Sequence, residues 1–181
     1  MPSYVVDITT FAAFKNQVNG HGYDLDGSFG FQCWDGLQLL WSQLGMFLSN
    51  DGTHSVYGCW NAAVRQSNAG DQFDLIYNLS DIKTGDVMIF NHGSPWGANG
   101  HGGYACEDYK GGSRIQLLSQ NYRNSSASQG SPFSIDNVQV RGFLGAYRYK
   151  GWQGSTPPIL KSQKNFPWVL YAHKLRFKKA Y

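Results

Sequence analysis

Two hydrophobic rhythms divide the chain near Gly70. Before it, apolar positions recur at helical spacing. Phe11, Phe14 and Val18 share one face behind Thr9 or Thr10, either of which can cap a helix that stops near Gly20. A second helix is expected from close to Cys33 to about Leu48, with Leu37, Leu40, Leu44 and Phe47/Leu48 on one stripe. A third, weaker pattern covers residues 60–66. Beyond Gly70 the apolar runs are short and β-rich, at residues 86–90, 101–106, 114–118 and 138–149, with Gly, Asn, Ser and Pro clusters between them. Helices first and strands afterwards predict an α+β fold, with N-terminal helices packed on an antiparallel sheet.

The chain has 181 residues, which suits one domain over residues 1–154 and a linker and tail over 155–181, starting at Ser155-Thr156-Pro157-Pro158. Hydrophobic residues at 41% are enough for a core and exclude a largely disordered protein. Charged residues are only 15%, against about 25% in an average domain. With 22 glycines and 15% aromatics, this profile fits a loop-rich enzyme or a sugar- or peptide-binding domain better than a helical bundle.

Charge changes the picture further. Residues 1–156 carry 9 basic and 12 acidic side chains, whereas 157–181 carry 6 basic and none acidic. A mildly acidic domain with a basic, aromatic tail argues against a nucleic-acid-binding core, while the tail is suited to polyanions. No apolar run reaches the roughly 18 residues of a membrane span. The N-terminus lacks a basic region followed by an apolar stretch, so synthesis without a signal peptide is expected. Three cysteines, Cys33, Cys59 and Cys106, are too few for a disulfide scaffold.

The most informative stretch leads into Cys33. Asp24, Asp26, Ser28, Gly30 and Asp35 stand at relative positions 1, 3, 5, 7 and 12, the offsets at which an EF-hand loop supplies calcium ligands. Phe29 occupies the place of the obligatory glycine and Asp35 that of the bidentate glutamate, so the loop is at most EF-hand-like. Spacing alone leaves a calcium loop and a hydrogen-bonded Asp/Gly turn equally open. Cys33 itself falls near the expected start of a helix, where the positive end of the dipole favours thiolate. Cys59 and Cys106 read as small buried apolar residues.

A nucleophilic cysteine needs a base and a group that orients the base. Among the five histidines, His101 stands out, because Gly100-His101-Gly102-Gly103 opens a strand with room for another side chain or a substrate. If residues 117–122 form a neighbouring strand, Ser119 and Asn121 project from one face and can orient the imidazole. The structural alternative is a strand that ends in a polar turn.

In this order, the Asp-rich loop running into Gln32-Cys33-Trp34-Asp35, then Gly85-Asp86 to Phe90, Gly100-His101, Gln120-Asn121 and the run from Gly142 to Tyr149 resemble a CHAP domain, the cysteine, histidine-dependent amidohydrolase/peptidase family. The resemblance covers about residues 8–152 and rests on the set rather than on any one piece. It implies a papain-like fold, Cys33 as nucleophile, His101 as general base and Asn121 as the polar residue after the base. Gln32 or the Cys33 backbone N–H would stabilise the oxyanion. It also favours calcium at Asp24, Asp26 and Asp35, with Ser28 and Gly30 contributing carbonyls. Many members carry Glu two residues before that Asn, where this chain has Ser119; Glu107, the only glutamate, is about 20 Å along the strand from His101 at about 3.3 Å per residue.

The resemblance implies a phage-type lysin acting on peptidoglycan, as a muramoyl-L-alanine amidase or a cross-link endopeptidase. Such a protein reaches the wall after holin release or as part of a virion. The tail is then a candidate for anionic wall polymers, or a packed arm. Trp34 and Tyr104 would line a peptide groove or pack in the core. Two other readings remain: a non-catalytic wall-binding or phage tail module that kept the fold, and a cysteine peptidase or amidase with a protein or small-amide substrate.

Overall fold

Thr10 caps the first helix, α1 (Phe11–Val18): its side-chain oxygen accepts from the Ala13 N–H at 3.1 Å, and Phe11, Phe14 and Val18 are buried. The computed structural model of the protein describes residues 4–123 and 129–153, so the expected linker and tail over 155–181 lie outside the described residues. The second helix, α2 (Cys33–Gln43), begins where the sequence places it and ends sooner than the expected Leu48. Gly45, at φ 71, turns the chain, and the Met46 N–H reaches back to the Trp41 carbonyl at 2.9 Å. This closing motif needs a residue that tolerates the left-handed region, and it releases Phe47 to an exposed position off the core stripe.

Helix α2 is buried on almost every side. Its two buried glutamines are satisfied by neighbouring backbone. Gln38 bonds Met46 and Leu48, and Gln43 bonds Tyr4 and Val6. The expected third helix is displaced: residues 56–60 form a 3-10 turn (Val56–Trp60), and α3 spans Arg65–Ala69.

Six strands follow: β1 (Phe73–Ile76), β2 (Val87–Phe90), β3 (His101–Ala105), β4 (Arg114–Ser119), β5 (Ser134–Gln139) and β6 (Phe143–Tyr149). They form one antiparallel sheet in the order β1-β6-β2-β3-β4-β5. The run at 138–149, expected as one strand, is broken at Gly142 (φ 82) and feeds two strands at different places in the sheet. Strand β1 is too short to show an alternation that the sequence could announce.

The sheet is buried on both faces. On the helix side, Val87, Ile89, Tyr104, Leu118 and Tyr147 pack with Phe14, Leu37 and Trp41. On the other side, Met88, Phe90, Ala105, Ile115, Leu117 and Ala146 pack with Ile82 and Trp96. Tyr104 is fully buried, donating to the Gly36 carbonyl at 2.8 Å, so it belongs to the core rather than to a groove. Buried Asp86 joins the turn before β2 to β6. Arg148 donates to its two oxygens at 2.8 and 2.7 Å, and the Lys83 N–H at 2.8 Å.

Candidate active site

The site gathers where the N-terminus of α2 meets the first residues of β3. Gly102 permits this approach: a Cβ there would lie 2.7 Å from the Leu37 Cδ1. The room that the glycines leave is therefore filled by protein side chains. Cys33, 9% exposed, has its sulfur toward the backbone N–H groups of Trp34, Gly102 and Cys33 itself. Burial pushes the thiol up to about 12, against the pull of those N–H groups.

His101 is the first residue of β3 and pairs with Phe90. Strand alternation gives Gly102 to the α2 side and His101 to the face of Phe90 and Trp96. Across the sheet, Ser119 lies over Gly103, where a Cβ would meet the Ser119 Cβ at 2.7 Å. The glycine lets the hydroxyl reach diagonally to the imidazole, and Ser119 Oγ stands 3.0 Å from His101 Nε2. Trp96 lies parallel to the imidazole, with centroids 5.1 Å apart and planes at 2°, and Tyr122 closes in at 5.8 Å. Burial brings His101 down to about 4, with Asp136 pulling weakly upward. Burial thus favours the neutral form of both thiol and imidazole, and among the described residues no hydrogen bond joins them.

Asn121 is placed differently from the expectation. Strand β4 ends at Ser119, and Asn121 adopts φ 60, so the alternation that would have put Ser119 and Asn121 on one face stops between them. The Asn121 side-chain amide donates to Gln32 Oε1 at 2.6 Å instead. Between the two, buried Gln120 accepts from the Tyr23 N–H at 2.6 Å and donates to the carbonyls of Tyr23 at 3.1 Å and Gln32 at 2.9 Å. Gln120 therefore ties together both ends of the loop that runs from Asp24 to Phe31.

Asp24 and Asp26 of that loop and Asp35 of the first turn of α2 each bring a carboxylate oxygen to within 4.8 Å of the others. Asp24 accepts from the Gly27 N–H at 2.8 Å, Asp26 from Ser28 at 2.7 Å and Asp35 from Leu25 at 3.0 Å. Asp35 is 1% exposed, and burial together with the charge of Asp26 raises it to about 7. Among the described residues no Lys or Arg pairs with these three. Ser28 turns its N–H toward Asp26, and the Gly30 carbonyl accepts from the Gln32 N–H at 2.9 Å. Phe29, at φ 65, is held 78% exposed at the rim.

One contributor went unseen in the sequence, and the role of another was not legible there. Trp96 carried no spacing signal linking it to His101, because the contact depends on how the 91–100 loop folds back. Gln120 was legible only as half of a Gln-Asn pair, and its role needs the loop ends to be near each other. Glu107 is not part of the site: it accepts from the Gln116 N–H at 3.0 Å. Cys59 is buried in the 3-10 turn, and Cys106 is half-buried.

No protein-family model matches the chain. A D-alanyl-L-alanine endopeptidase from Streptococcus phage B30 is 32% identical over 84 residues, which is 46% of this chain and 18% of that protein. The fold is similar to that in the crystal structure of the wild-type endolysin LysIME-EF1, with a TM-score of 0.64 and 26% identity over 80% of this chain and 65% of that one. The chain thus spans under a fifth of the curated relative and just under two thirds of the endolysin chain. It shares the α+β fold of an endolysin and, over about half its length, the sequence likeness of a phage endopeptidase.

Proposed function

We propose that this chain is a peptidoglycan hydrolase of the CHAP type that cleaves an amide bond with Cys33 as nucleophile and His101 as base. The observation that carries the reading is the convergence at Gly102. The sulfur at the N-terminus of α2 is turned toward the N–H of the residue after His101, and Ser119 holds the imidazole by Nε2. That bond leaves Nδ1 as the nitrogen for the thiol. The likeness to the phage B30 D-alanyl-L-alanine endopeptidase favours a cross-link endopeptidase over a muramoyl-L-alanine amidase.

The reaction is acyl transfer in two halves. The Cys33 proton passes to His101 as the sulfur bonds to the amide carbon, and the oxyanion is met by the Cys33 N–H and the Gln32 amide. The carbon–nitrogen bond breaks as His101 returns the proton to the leaving amine. Water, deprotonated by His101, then attacks the thioester, and the carbon–sulfur bond breaks to regenerate the thiol. Burial favours the neutral thiol and imidazole at rest, so the ion pair is expected to form with substrate bound. The helix dipole and three backbone N–H groups are already aimed at the developing thiolate. Ser119, able to accept or donate, replaces the carboxylate found in many CHAP members.

Calcium fits the acidic loop: three convergent carboxylates, one of them buried, form a hard-oxygen donor set without a cationic partner among the described residues. Asp24, Asp26 and Asp35 would hold the ion, with carbonyls of Ser28 and Gly30 as further candidates. Bound there, it would offset carboxylate repulsion and stiffen the segment that delivers Gln32 and Cys33. The basic segment 157–181 is proposed to add affinity for anionic wall polymers. The site of action is the bacterial wall, reached after holin release or from a virion.

Mass spectrometry of products from purified peptidoglycan tests this reading. Wild type is expected to create new termini that Cys33→Ala does not. Undiminished release by Cys33→Ala would overturn it, and wall sedimentation by both proteins without products would favour a non-catalytic binding module.

A further inference from the structure

The resemblance to CHAP domains gives Asn121 to the histidine, but the hydrogen bonds give it to the other side of the site. Amide orientations can be settled here by working outward from a group that only accepts. The Phe29 carbonyl takes a bond at 2.5 Å from the Gln32 side chain, so that end of the carboxamide must be Nε2. Gln32 Oε1 then faces Asn121, and the Asn121 group 2.6 Å away must be its NH2. The Asn121 Oδ1 is left buried with no partner among the described residues, while His101 Nε2 is already held by Ser119. Gln32 is also fixed through its carbonyl, which accepts from Gln120 at 2.9 Å. Gly130 keeps space beside its amide, since a Cβ there would lie 3.2 Å from Nε2.

Gln32 is therefore gripped at three points immediately before Cys33, at the N-cap of α2. Only one of its two amide hydrogens is committed, and among the described residues the other has no protein acceptor. We propose that Asn121 is a positioning residue for Gln32, locking its amide so that the uncommitted N–H serves the oxyanion, and that orienting the imidazole falls to Ser119. The proposal rests on the hydrolase reading above and deepens it. It divides the end of β4 between two jobs: Ser119 serves the base, and Asn121 serves the group that stabilises charge on the substrate.

Rates of product release from purified peptidoglycan in a double-mutant cycle test this. Asn121→Asp suits the left-handed backbone but replaces the donor with an acceptor. Gln32→Ala removes the amide. Each single change is expected to slow release about ten- to a hundredfold, the range below full loss of an oxyanion donor, and the double variant to be no slower than Gln32→Ala alone. Asn121→Asp and Ser119→Ala are expected to multiply.

Asn121→Gly, which keeps the backbone and deletes the amide, replaces Asn121→Asp should the latter not fold. A readout independent of turnover comes from NMR of labelled protein: Asn121→Asp should shift the Gln32 side-chain amide signals and leave the His101 ring signals in place. Multiplicative effects of Asn121→Asp and Gln32→Ala, or movement of the His101 signals instead of the Gln32 signals, overturn the proposal while leaving an active hydrolase. A wild type that releases no product overturns the hydrolase reading and this role with it.

Discussion

Trp96 and His101 lie face to face, their ring centroids 5.1 Å apart and their planes within 2° of parallel. The indole is itself fixed: Nε1 donates to the Arg141 carbonyl at 2.6 Å, and Phe90 packs against it at 4.5 Å. One face of the imidazole is thus sealed from water by a residue outside the expected catalytic set. The Nε2–Ser119 bond lies in the shelter it creates.

Removing that cover should be readable directly. Trp96→Ala is expected to expose the imidazole, so that the His101 pKa, held down to about 4 by burial, climbs toward its ordinary value near 6.5. An NMR titration of the ring would measure the climb. Wall hydrolysis should fall about tenfold as the imidazole loses its fixed orientation. An unchanged His101 titration in a folded Trp96→Ala protein would show that other groups keep the ring dry.

Burial of neutral His101 also makes stability depend on pH. Its folded-state pKa is depressed, so between about 6.5 and 4 the unfolded chain holds more protons than the folded one. The contribution is complete above about 6.5 and is lost as pH falls toward 4, amounting to about 3 kcal/mol at about 1.4 kcal/mol per unit. Asp35, raised to about 7 chiefly by burial, acts in the opposite sense. The comparison is therefore wild type against His101→Gln by denaturant unfolding: the gap between their stabilities should narrow on acidification through that window. A constant gap would count against a buried neutral histidine.

The Asp86–Arg148 pair predicts a purely structural effect. Asp86 is fully buried and depends on Arg148 for two of its three bonds. Arg148→Met strands a carboxylate inside the protein and should cost about 3–5 kcal/mol, read as a lower urea midpoint. Adding Asp86→Asn should recover part of that loss. Equal stability of wild type and Arg148→Met would mean that the pair is solvated in solution.

Calcium binding to the acidic loop should appear as thermal stabilisation. At about a hundredfold excess over its dissociation constant a ligand adds about 3 kcal/mol, several degrees in a chain of this size. Asp24→Asn and Asp26→Asn should each abolish the response, and chelator should return wild type to the level of the variants. A melting temperature indifferent to calcium would leave the loop as an Asp/Gly turn.

Local rules carried much of this protein. Capping at Thr10, the apolar face of Phe11, Phe14 and Val18, the helix start at Cys33 and the four β-rich runs all depend on neighbours a few residues apart, and such spacing is legible in a sequence. What the residues alone determined was therefore the α+β class and the position of Cys33 and His101 at the starts of a helix and a strand. The turn at Gly45 that follows α2 and the break at Gly142 were open to reading as well, but long hydrophobic runs masked them. Tertiary structure decided the rest. Whether Ser119 or Asn121 meets the imidazole turns on one backbone angle at Asn121, and Trp96 covers His101 only because a loop folds back over the sheet. Those contacts join residues whose distance in space has no fixed relation to their separation in sequence. Pattern can nominate such groups, and only packing pairs them.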